Sequence, residues 1–293
     1  MAVNVNRQLP LIYSLLVFSI LGSAYAAEPQ EFPLPPFIDA ICIPVELGGE
    51  EHLFLLDSGA STLLFDESLK KHLGKAVGQY RMKDAAGQQV KMEFFQAPQV
   101  RIGETDWKCS EMTGCFDFSH IQGAIGKEIE GILGAPFFAA HIVQFDFDQQ
   151  RLTIFPPDAP PQDDWGTPVE LKFKDKHLPM IPLKLPGVGI EWCVIDTGFN
   201  GSLSLNWSTC LDLENDGVYS PRPDRLRRVL SGQQWTRNGV ITKVGIQSFE
   251  HSNLTADCSK IFSHVGLHYL KRFRVTIDAG HRIAYFAKAV QIV

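Results

Sequence analysis

The sequence lacks several patterns by which common function classes are recognised. It has no basic excess, because 27 Lys and Arg stand against 33 Asp and Glu and the net charge is −6. This balance argues against nucleic acid or an anionic membrane as a partner. Paired C-x-x-C spacing and the H-E-x-x-H pattern are both missing, so the sequence predicts no metal site, and nothing in it indicates another cofactor.

Long apolar runs are scarce, and the one that exists lies at the N-terminus. Arg7 precedes an apolar run over residues 9–22, and an A-x-A cleavage pattern ends at Ala26. The run is shorter than the roughly 20 apolar residues that a spanning helix needs. We therefore predict a signal peptide over 1–26 and a secreted or periplasmic product without stable membrane insertion; an uncleaved N-terminal anchor is the alternative.

Cysteine is also sparse, with six residues in 293. An even number fits a disulfide framework in an exported protein, although six cysteines allow 15 pairings. Two pairs are plausible, Cys109 with Cys115 and Cys210 with Cys258. The other two cysteines lie in apolar runs, where a buried free thiol is equally expected.

What the sequence does contain is an internal repeat. An apolar strand runs into Asp-Ser-Gly in "LFLLDSGAST" (53–62) and into Asp-Thr-Gly in "CVIDTGFNGS" (193–202). Two later landmarks recur in the same order, "GILGAPFF" (131–138) with "HVGLHYL" (264–270), and "VQFDFDQQRLTIF" (143–155) with "RVTIDAGHRIAYF" (274–286). Self-similarity of this kind indicates two copies of one module.

The pattern within each copy favours strands. Short runs of Val, Ile, Leu and Phe are separated by Gly, Pro and Asp turns, and helical periodicity is sparse. We predict an all-β protein with an N-terminal module over 27–157, a proline- and acid-rich linker over 158–170, and a C-terminal module over 171–293.

The duplicated acid carries the candidate chemistry. Two carboxyl groups held close together cannot both ionise easily, so one keeps a proton and serves as acid while the other serves as base toward water. One module supplies one such acid, and a duplication supplies the second. Asp57 and Asp196 are therefore the candidate catalytic pair.

The neighbours of each acid suit the same role. Gly59 and Gly198 permit the tight backbone with which two acid loops can approach each other. Ser58 and Thr197 offer hydroxyl groups that can tie the loops together and hold the carboxyl groups in place. These four residues are predicted to support the pair.

The segments "LLDSGAST" and "VIDTGFNGS", with the later "ILGAPFF" and "VGLHYL", closely resemble the retropepsin-like aspartic proteases and, through the duplication, the bilobal pepsin-like arrangement. The resemblance implies two homologous acid-protease β-barrel lobes in one chain, with catalytic Asp57 and Asp196 and a cleft between the lobes. It also implies β-hairpin flaps around 80–92 and 230–239. The chain departs from the usual family pattern at Phe199, where a small residue is commoner.

The predicted function is that of a monomeric aspartic endopeptidase acting on a peptide or protein substrate. A non-catalytic peptide-binding scaffold with the same fold is the alternative. A serine hydrolase is excluded, because Leu63 stands where a G-x-S-x-G elbow around Ser61 would need glycine. The basic run over 222–228 is typical of a solvated face.

Overall fold

The structure is a computed structural model that describes residues 28–35, 39–84, 87–108, 112–229 and 232–289. The predicted signal peptide and Cys109 lie outside these ranges. The described residues form 23 strands and four short α-helices, which confirms the prediction of an all-β protein. In the same ranges, every helix is too short or too polar to cross a membrane.

The N-terminal half contains fourteen of these strands and helices in the described ranges. A 3-10 helix, Glu67–His72, lies between its fourth and fifth strands. In chain order the others are β1 (Gln30–Pro33), β2 (Cys42–Leu47), β3 (Glu50–Leu56), β4 (Leu64–Asp66), β5 (Ala76–Lys83), β6 (Gln89–Gln96), β7 (Gln99–Ile102), β8 (Thr105–Lys108), β9 (Met112–Phe116), α1 (Ser119–Ile125), β10 (Gly131–Leu133), α2 (Ala135–Ala140), β11 (Ile142–Asp146) and β12 (Arg151–Phe155).

The C-terminal half begins with a 3-10 helix, Asp163–Trp165. The strands and helices that follow are β13 (Thr167–Glu170), β14 (Lys172–Lys174), β15 (Leu178–Leu185), β16 (Gly189–Ile195), β17 (Leu203–Asn206), α3 (Trp207–Asn215), β18 (Tyr219–Val229), β19 (Gly232–Ile246), β20 (Phe249–Ser259), β21 (His264–Val265), α4 (Leu267–Leu270), β22 (Phe273–Asp278) and β23 (Ile283–Lys288).

Burial along the first hairpin shows why these residues form strands. Ile43, Val45 and Leu47 alternate with more exposed residues along β2, as expected for a strand with one face on the core. The end of β3 is buried on consecutive residues, because the strand is covered on both faces there. Gly48 and Gly49 join the two strands with φ of 65° and 86°, values that a two-residue hairpin turn requires.

Two of the three sheets share one strand order over seven neighbouring strands. The nine-stranded sheet runs β5-β6-β9-β4-β10-β3-β2-β7-β8, and the eight-stranded sheet, in the same direction, runs β18-β19-β20-β17-β21-β16-β15-β14. Two long strands of the second sheet, β19 and β20, each correspond to two strands of the first. For example, β19 also pairs with β15, just as β7 pairs with β2. The parallel pairs β3–β10 and β16–β21 occupy matching places. The two halves therefore share this part of their strand order.

The third sheet joins the two halves. Its order is β1-β12-β11-β22-β23-β13, and its central pair, β11 and β22, is antiparallel. Gln144 lies opposite Thr276 there and donates its side-chain N–H to the threonine hydroxyl at 2.9 Å. The largest buried apolar cluster draws on both halves, for example Phe145 and Val275. The halves consequently share one core.

Part of the segment predicted as a linker, 158–170, is regular. It contains the 3-10 helix and β13, which forms one edge of the six-stranded sheet. Trp165 is fully buried, and its ring packs against Phe155 and Tyr285 with centroid distances of 5.3 and 5.2 Å. A single aromatic side chain thus anchors a stretch whose composition is otherwise that of a linker. The predicted domain boundaries stay a prediction.

Candidate active site

The two candidate acids occupy equivalent places at strand ends. Asp57 follows β3 and Asp196 follows β16. The backbone N–H of Asp57 donates to the carbonyl of Leu133 at 3.0 Å, and that of Asp196 donates to the carbonyl of Val265 at 2.9 Å. Each acid is therefore held between its own strand and the short parallel strand beside it, β10 or β21.

Ser58 and Thr197 connect the two acid loops by four hydrogen bonds. The Ser58 N–H donates to Thr197 Oγ1 at 3.0 Å, and the Thr197 N–H donates to Ser58 Oγ at 3.2 Å. Each hydroxyl also donates across to the other loop, Ser58 Oγ to the Ile195 carbonyl at 2.6 Å and Thr197 Oγ1 to the Leu56 carbonyl at 2.9 Å. Both residues are buried, so water does not compete for these bonds.

The glycines let the carboxyl groups meet. A Cβ added at Gly59 would lie 2.6 Å from Cγ of Asp196, and one added at Gly198 would collide with the carboxyl group of Asp57. Each loop's glycine thus faces the other loop's acid, and any side chain would separate the loops. The carboxyl groups of Asp57 and Asp196 are within hydrogen-bonding reach of each other.

The two carboxyl groups have different surroundings. Burial raises the pKa of Asp57, and the N–H groups of Gly59 and Ala60, which donate to Oδ1 at 2.9 and 3.1 Å, oppose the rise. Burial raises the pKa of Asp196 further, and the charge of Asp57 adds to that rise. Because two buried carboxylates repel each other, the pair as a whole tends to retain one proton.

Arg227 places a positive charge beside this pair. Its guanidinium lies 4.4 Å from the ring centroid of Phe199 and donates to Ser204 Oγ at 3.3 Å. It lowers the pKa of Asp196, in opposition to burial. Residues 222–226 of the basic run are exposed, as predicted, but Arg227 is only partly exposed, and Arg225 forms a two-bond ion pair with the buried Asp257 at 2.8 and 2.7 Å.

A buried histidine lies on the other side of Asp196. His264 begins β21, and its Nε2 is 4.0 Å from Asp196 Oδ2. Burial, followed by the charge of Arg227, lowers the pKa of His264 to about 3, so the ring is neutral over most of the acid range. In the first half, the matching position beside the acid strand is Ile132, which pairs with Leu55 as His264 pairs with Val194.

Two hairpins carry the segments predicted as flaps. The first hairpin consists of β5 and β6, and the second of β18 and β19; residues 85, 86, 230 and 231 at their tips lie outside the described ranges. Large side chains stand exposed on both: Tyr80 on the first, and Leu226 opposite Trp235 on the second. Trp235 is 67% exposed, more than any other large apolar side chain in the described ranges.

The five cysteines in the described ranges contribute no side chain to the carboxyl pair. A disulfide joins Cys210 to Cys258 and so ties α3 to β20, which confirms one of the two plausible pairs. Cys115 carries a free thiol, as do Cys42 and Cys193. Burial raises the pKa of the Cys115 thiol to about 11, which makes it a poor nucleophile.

Sequence reasoning missed Arg227, His264 and Trp235. The signal for Arg227 is its spacing of two from Arg225, which places both on one face of a strand. The signal for His264 is visible when the two repeats are aligned, because the second repeat has this histidine where the first has Ile132. Among potential metal ligands in the described ranges, Glu50 and His52 of β3 and His72 at the end of the 3-10 helix lie together, away from the carboxyl pair.

Comparison with known proteins adds one finding. Residues 43–137 match the model of a family described as Aspartyl protease. No curated protein matches the chain. The matched segment includes Asp57, Ser58 and Gly59 together with β10, the strand that holds the first acid loop. Over that segment, which is less than half of its length, the chain is similar to aspartyl proteases.

Proposed function

We propose that the protein is an aspartic endopeptidase that hydrolyses peptide bonds with a water activated between Asp57 and Asp196. The observation that carries the proposal is the cross-linking of the two acid loops through Ser58 and Thr197, which keeps both carboxyl groups within reach of one water molecule. The family match over residues 43–137 supports the same class of enzyme.

The roles of the two acids follow from their surroundings. Asp57, whose anion accepts backbone N–H groups, takes a proton from the water as the water oxygen bonds to the carbonyl carbon. Asp196 gives its proton to the carbonyl oxygen, and a tetrahedral diol forms. Asp57 then gives its proton to the amide nitrogen while a diol hydroxyl returns a proton to Asp196, the C–N bond breaks, and a carboxyl and an amino terminus leave.

The proposal includes a bilobal retropepsin-like architecture with the substrate between the lobes. The matching strand orders of two sheets and the six-stranded sheet that joins them support this arrangement. The substrate is an extended peptide that binds beneath the two hairpins by main-chain hydrogen bonds, with apolar side chains against surfaces such as Trp235. Because one chain supplies both acids, a monomer suffices.

We also infer that the protein works outside the cytoplasm, secreted or in a periplasm. The disulfide between Cys210 and Cys258 supports this location, because such bonds persist in oxidising compartments. The predicted signal peptide points the same way.

The test replaces each acid separately by its amide. Asp57→Asn and Asp196→Asn should each lower kcat on a complex peptide mixture by at least about 100-fold while the melting temperature stays close to that of the wild type. Asp106→Asn is the control, because this exposed aspartate pairs with Arg101 far from the two loops. Wild-type turnover by either amide variant would overturn the shared-water mechanism.

A second measurement separates the enzyme from the scaffold alternative. A pepstatin-type transition-state mimic should bind the wild type and inhibit its cleavage of peptides across acid to neutral pH. Binding of the mimic by a protein that cleaves no peptide in the mixture would favour the scaffold.

A further inference from the structure

Three potential metal ligands meet on the outer part of the N-terminal half. Glu50 and His52 are two residues apart on β3, so both side chains project from the same face of the strand. His72 ends the 3-10 helix Glu67–His72. One carboxylate oxygen of Glu50 and one ring nitrogen from each histidine all lie within 4.8 Å of one another. The sequence spacing alone gives no sign of this cluster.

The two histidine rings are held in place by their neighbours. His52 is only 7% exposed, and its Nδ1 lies 2.9 Å from Oε2 of Glu130, the residue before β10. The ring of His72 lies on Gly48 in the turn between β2 and β3, where an added Cβ would come within 2.5 Å of His72 Nδ1. The two ring centroids are 6.2 Å apart. The rings are therefore fixed before any ligand binds.

Each ring leaves one buried nitrogen unpaired. Nε2 of His52 and Nε2 of His72 are shielded from solvent and have no hydrogen-bond partner among the described residues. An unpaired buried polar atom is costly, and two of them that share one cluster call for a common ligand. When Nδ1 of His52 donates its proton to Glu130, the lone pair on Nε2 is free to bind a metal ion, as in carboxylate–histidine–metal triads.

We propose that Glu50, His52 and His72 bind one zinc-class divalent cation, with Glu130 as the residue that orients His52. Two imidazoles and one carboxylate form a donor set suited to zinc, whereas magnesium and calcium take oxygen ligands. Ligands around a tetrahedral zinc lie about 3.4 Å from one another, which small side-chain rotations reach from the present spacing. Glu50 is exposed and His72 partly exposed, so the cation can arrive from solvent and keep water as its fourth ligand.

The cation would stabilise the position of the first acid loop. It would tie β3 to the 3-10 helix and, through Glu130, to β10, which pairs with β3 and accepts the backbone N–H of Asp57. His52 precedes Asp57 by five residues, roughly 17 Å of extended strand, so the cation could not share a water with the carboxyl pair. The metal site is thus independent of the proposed peptidase chemistry.

The experiment titrates zinc into the full chain after treatment with EDTA and removal of the chelator by dialysis. A chromogenic zinc chelator as competitor should report one tight site per chain. At a zinc concentration about 100 times the dissociation constant, the melting temperature should rise by about 5–10 °C. His72→Gln and Glu50→Gln should each weaken binding by at least about 100-fold, and Glu130→Gln by about 10- to 100-fold.

Matched substitutions distinguish binding at this site from nonspecific zinc binding elsewhere on the surface. Glu51→Gln changes the neighbouring exposed glutamate of β3, and His177→Gln changes an exposed histidine of the other half; both should bind zinc as the wild type does. His72 is the main target because it is partly exposed at the end of a 3-10 helix, whereas replacement of the buried His52 could disturb folding. Cobalt in place of zinc should give visible d–d bands without a thiolate charge-transfer band.

Three results would overturn the proposal. One is a zinc affinity in His72→Gln and Glu50→Gln equal to that of the wild type. Another is a wild-type melting temperature that zinc leaves unchanged. The third is a thiolate-to-cobalt band, which would place the cation on a cysteine instead.

Discussion

Ser58 and Thr197, which are 139 positions apart, donate their backbone N–H groups to each other's hydroxyl oxygens at 3.0 and 3.2 Å. Both side chains are almost completely buried. In each loop the residue that forms these bonds directly follows the acid, so a shift of either hydroxyl moves a carboxyl group. The relationship makes the position of Asp57 depend on residues of the second half, and that of Asp196 on residues of the first.

Thr197→Val should damage both stability and catalysis. The substitution keeps the shape of the side chain but leaves the buried Ser58 N–H and the Leu56 carbonyl without their partner, at a cost of about 1–3 kcal/mol in the free energy of unfolding. Loosening of the loops should lower kcat by about 10-fold or more with little effect on KM. Urea unfolding and steady-state kinetics on one peptide measure the two effects.

Thr276→Val is the matched control for that experiment. Thr276 is also fully buried, and its hydroxyl accepts a hydrogen bond from Gln144 in the central sheet, away from the acids. Its replacement should destabilise the protein by a similar amount and leave kcat unchanged. If both valine variants lost activity in proportion to stability, the special role of the Ser58–Thr197 pair would be refuted.

Arg227→Gln should extend peptidase activity to higher pH. The guanidinium lowers the pKa of Asp196, so its removal raises that pKa and lets the pair keep its single proton further into the neutral range. The alkaline limb of the kcat/KM profile should therefore move upward in pH. Arg222→Gln, on the same strand and exposed, should leave the profile in place. If the alkaline limb of the Arg227→Gln profile were unchanged or moved to lower pH, the conclusion that Arg227 lowers the pKa of Asp196 would be contradicted.

Trp235→Ala should weaken substrate binding and spare the fold. The ring is 67% exposed on the second hairpin, so its loss should change the melting temperature by no more than about 2 °C. In the proposed cleft it contributes apolar contact with the peptide, and KM should rise about 10-fold. Trp207→Ala removes a ring that is 43% exposed at the start of α3, and it should leave KM as it is. Equal effects of the two substitutions would argue against a binding role for the hairpin.

The local parts of the site could be predicted from the sequence. An apolar run that ends in Asp, a hydroxyl residue and Gly is a signal contained in a few residues, and its repetition predicted that the acids at 57 and 196 occupy equivalent places. The all-β class followed from equally local patterns of strand and turn residues. The Cys210–Cys258 pair was one of two plausible pairs, and only the folded chain distinguished it from the others.

The remaining features of the fold and of the sites depend on contacts between residues that are distant in the sequence. The antiparallel pairing of β11 with β22 joins segments from both halves, and the edge strand β13 pairs with the distant β23; no local pattern specifies such partners. The cluster of Glu50, His52 and His72 has no local sequence signal for the same reason. His72 is 20 residues from His52, and only the fold of the chain through β4 brings it back over the first hairpin.

His264→Ile should make the protein more resistant to acid. In the folded protein burial lowers the pKa of His264 to about 3, whereas the unfolded chain takes up a proton near pH 6.5. Between these pH values the unfolded state binds more protons than the folded state, so His264 lowers the free energy of unfolding as pH falls from about 6.5 toward 3. Isoleucine, the residue at the matching position 132 of the first half, cannot be protonated, so the substitution removes that loss. Urea unfolding at a series of pH values should show a gap between variant and wild type that is constant above about pH 7 and grows by about 3 kcal/mol near pH 4. A gap that stays the same at every pH would mean that the histidine is protonated in the folded protein, and the neutral neighbour assigned to Asp196 would have to be abandoned.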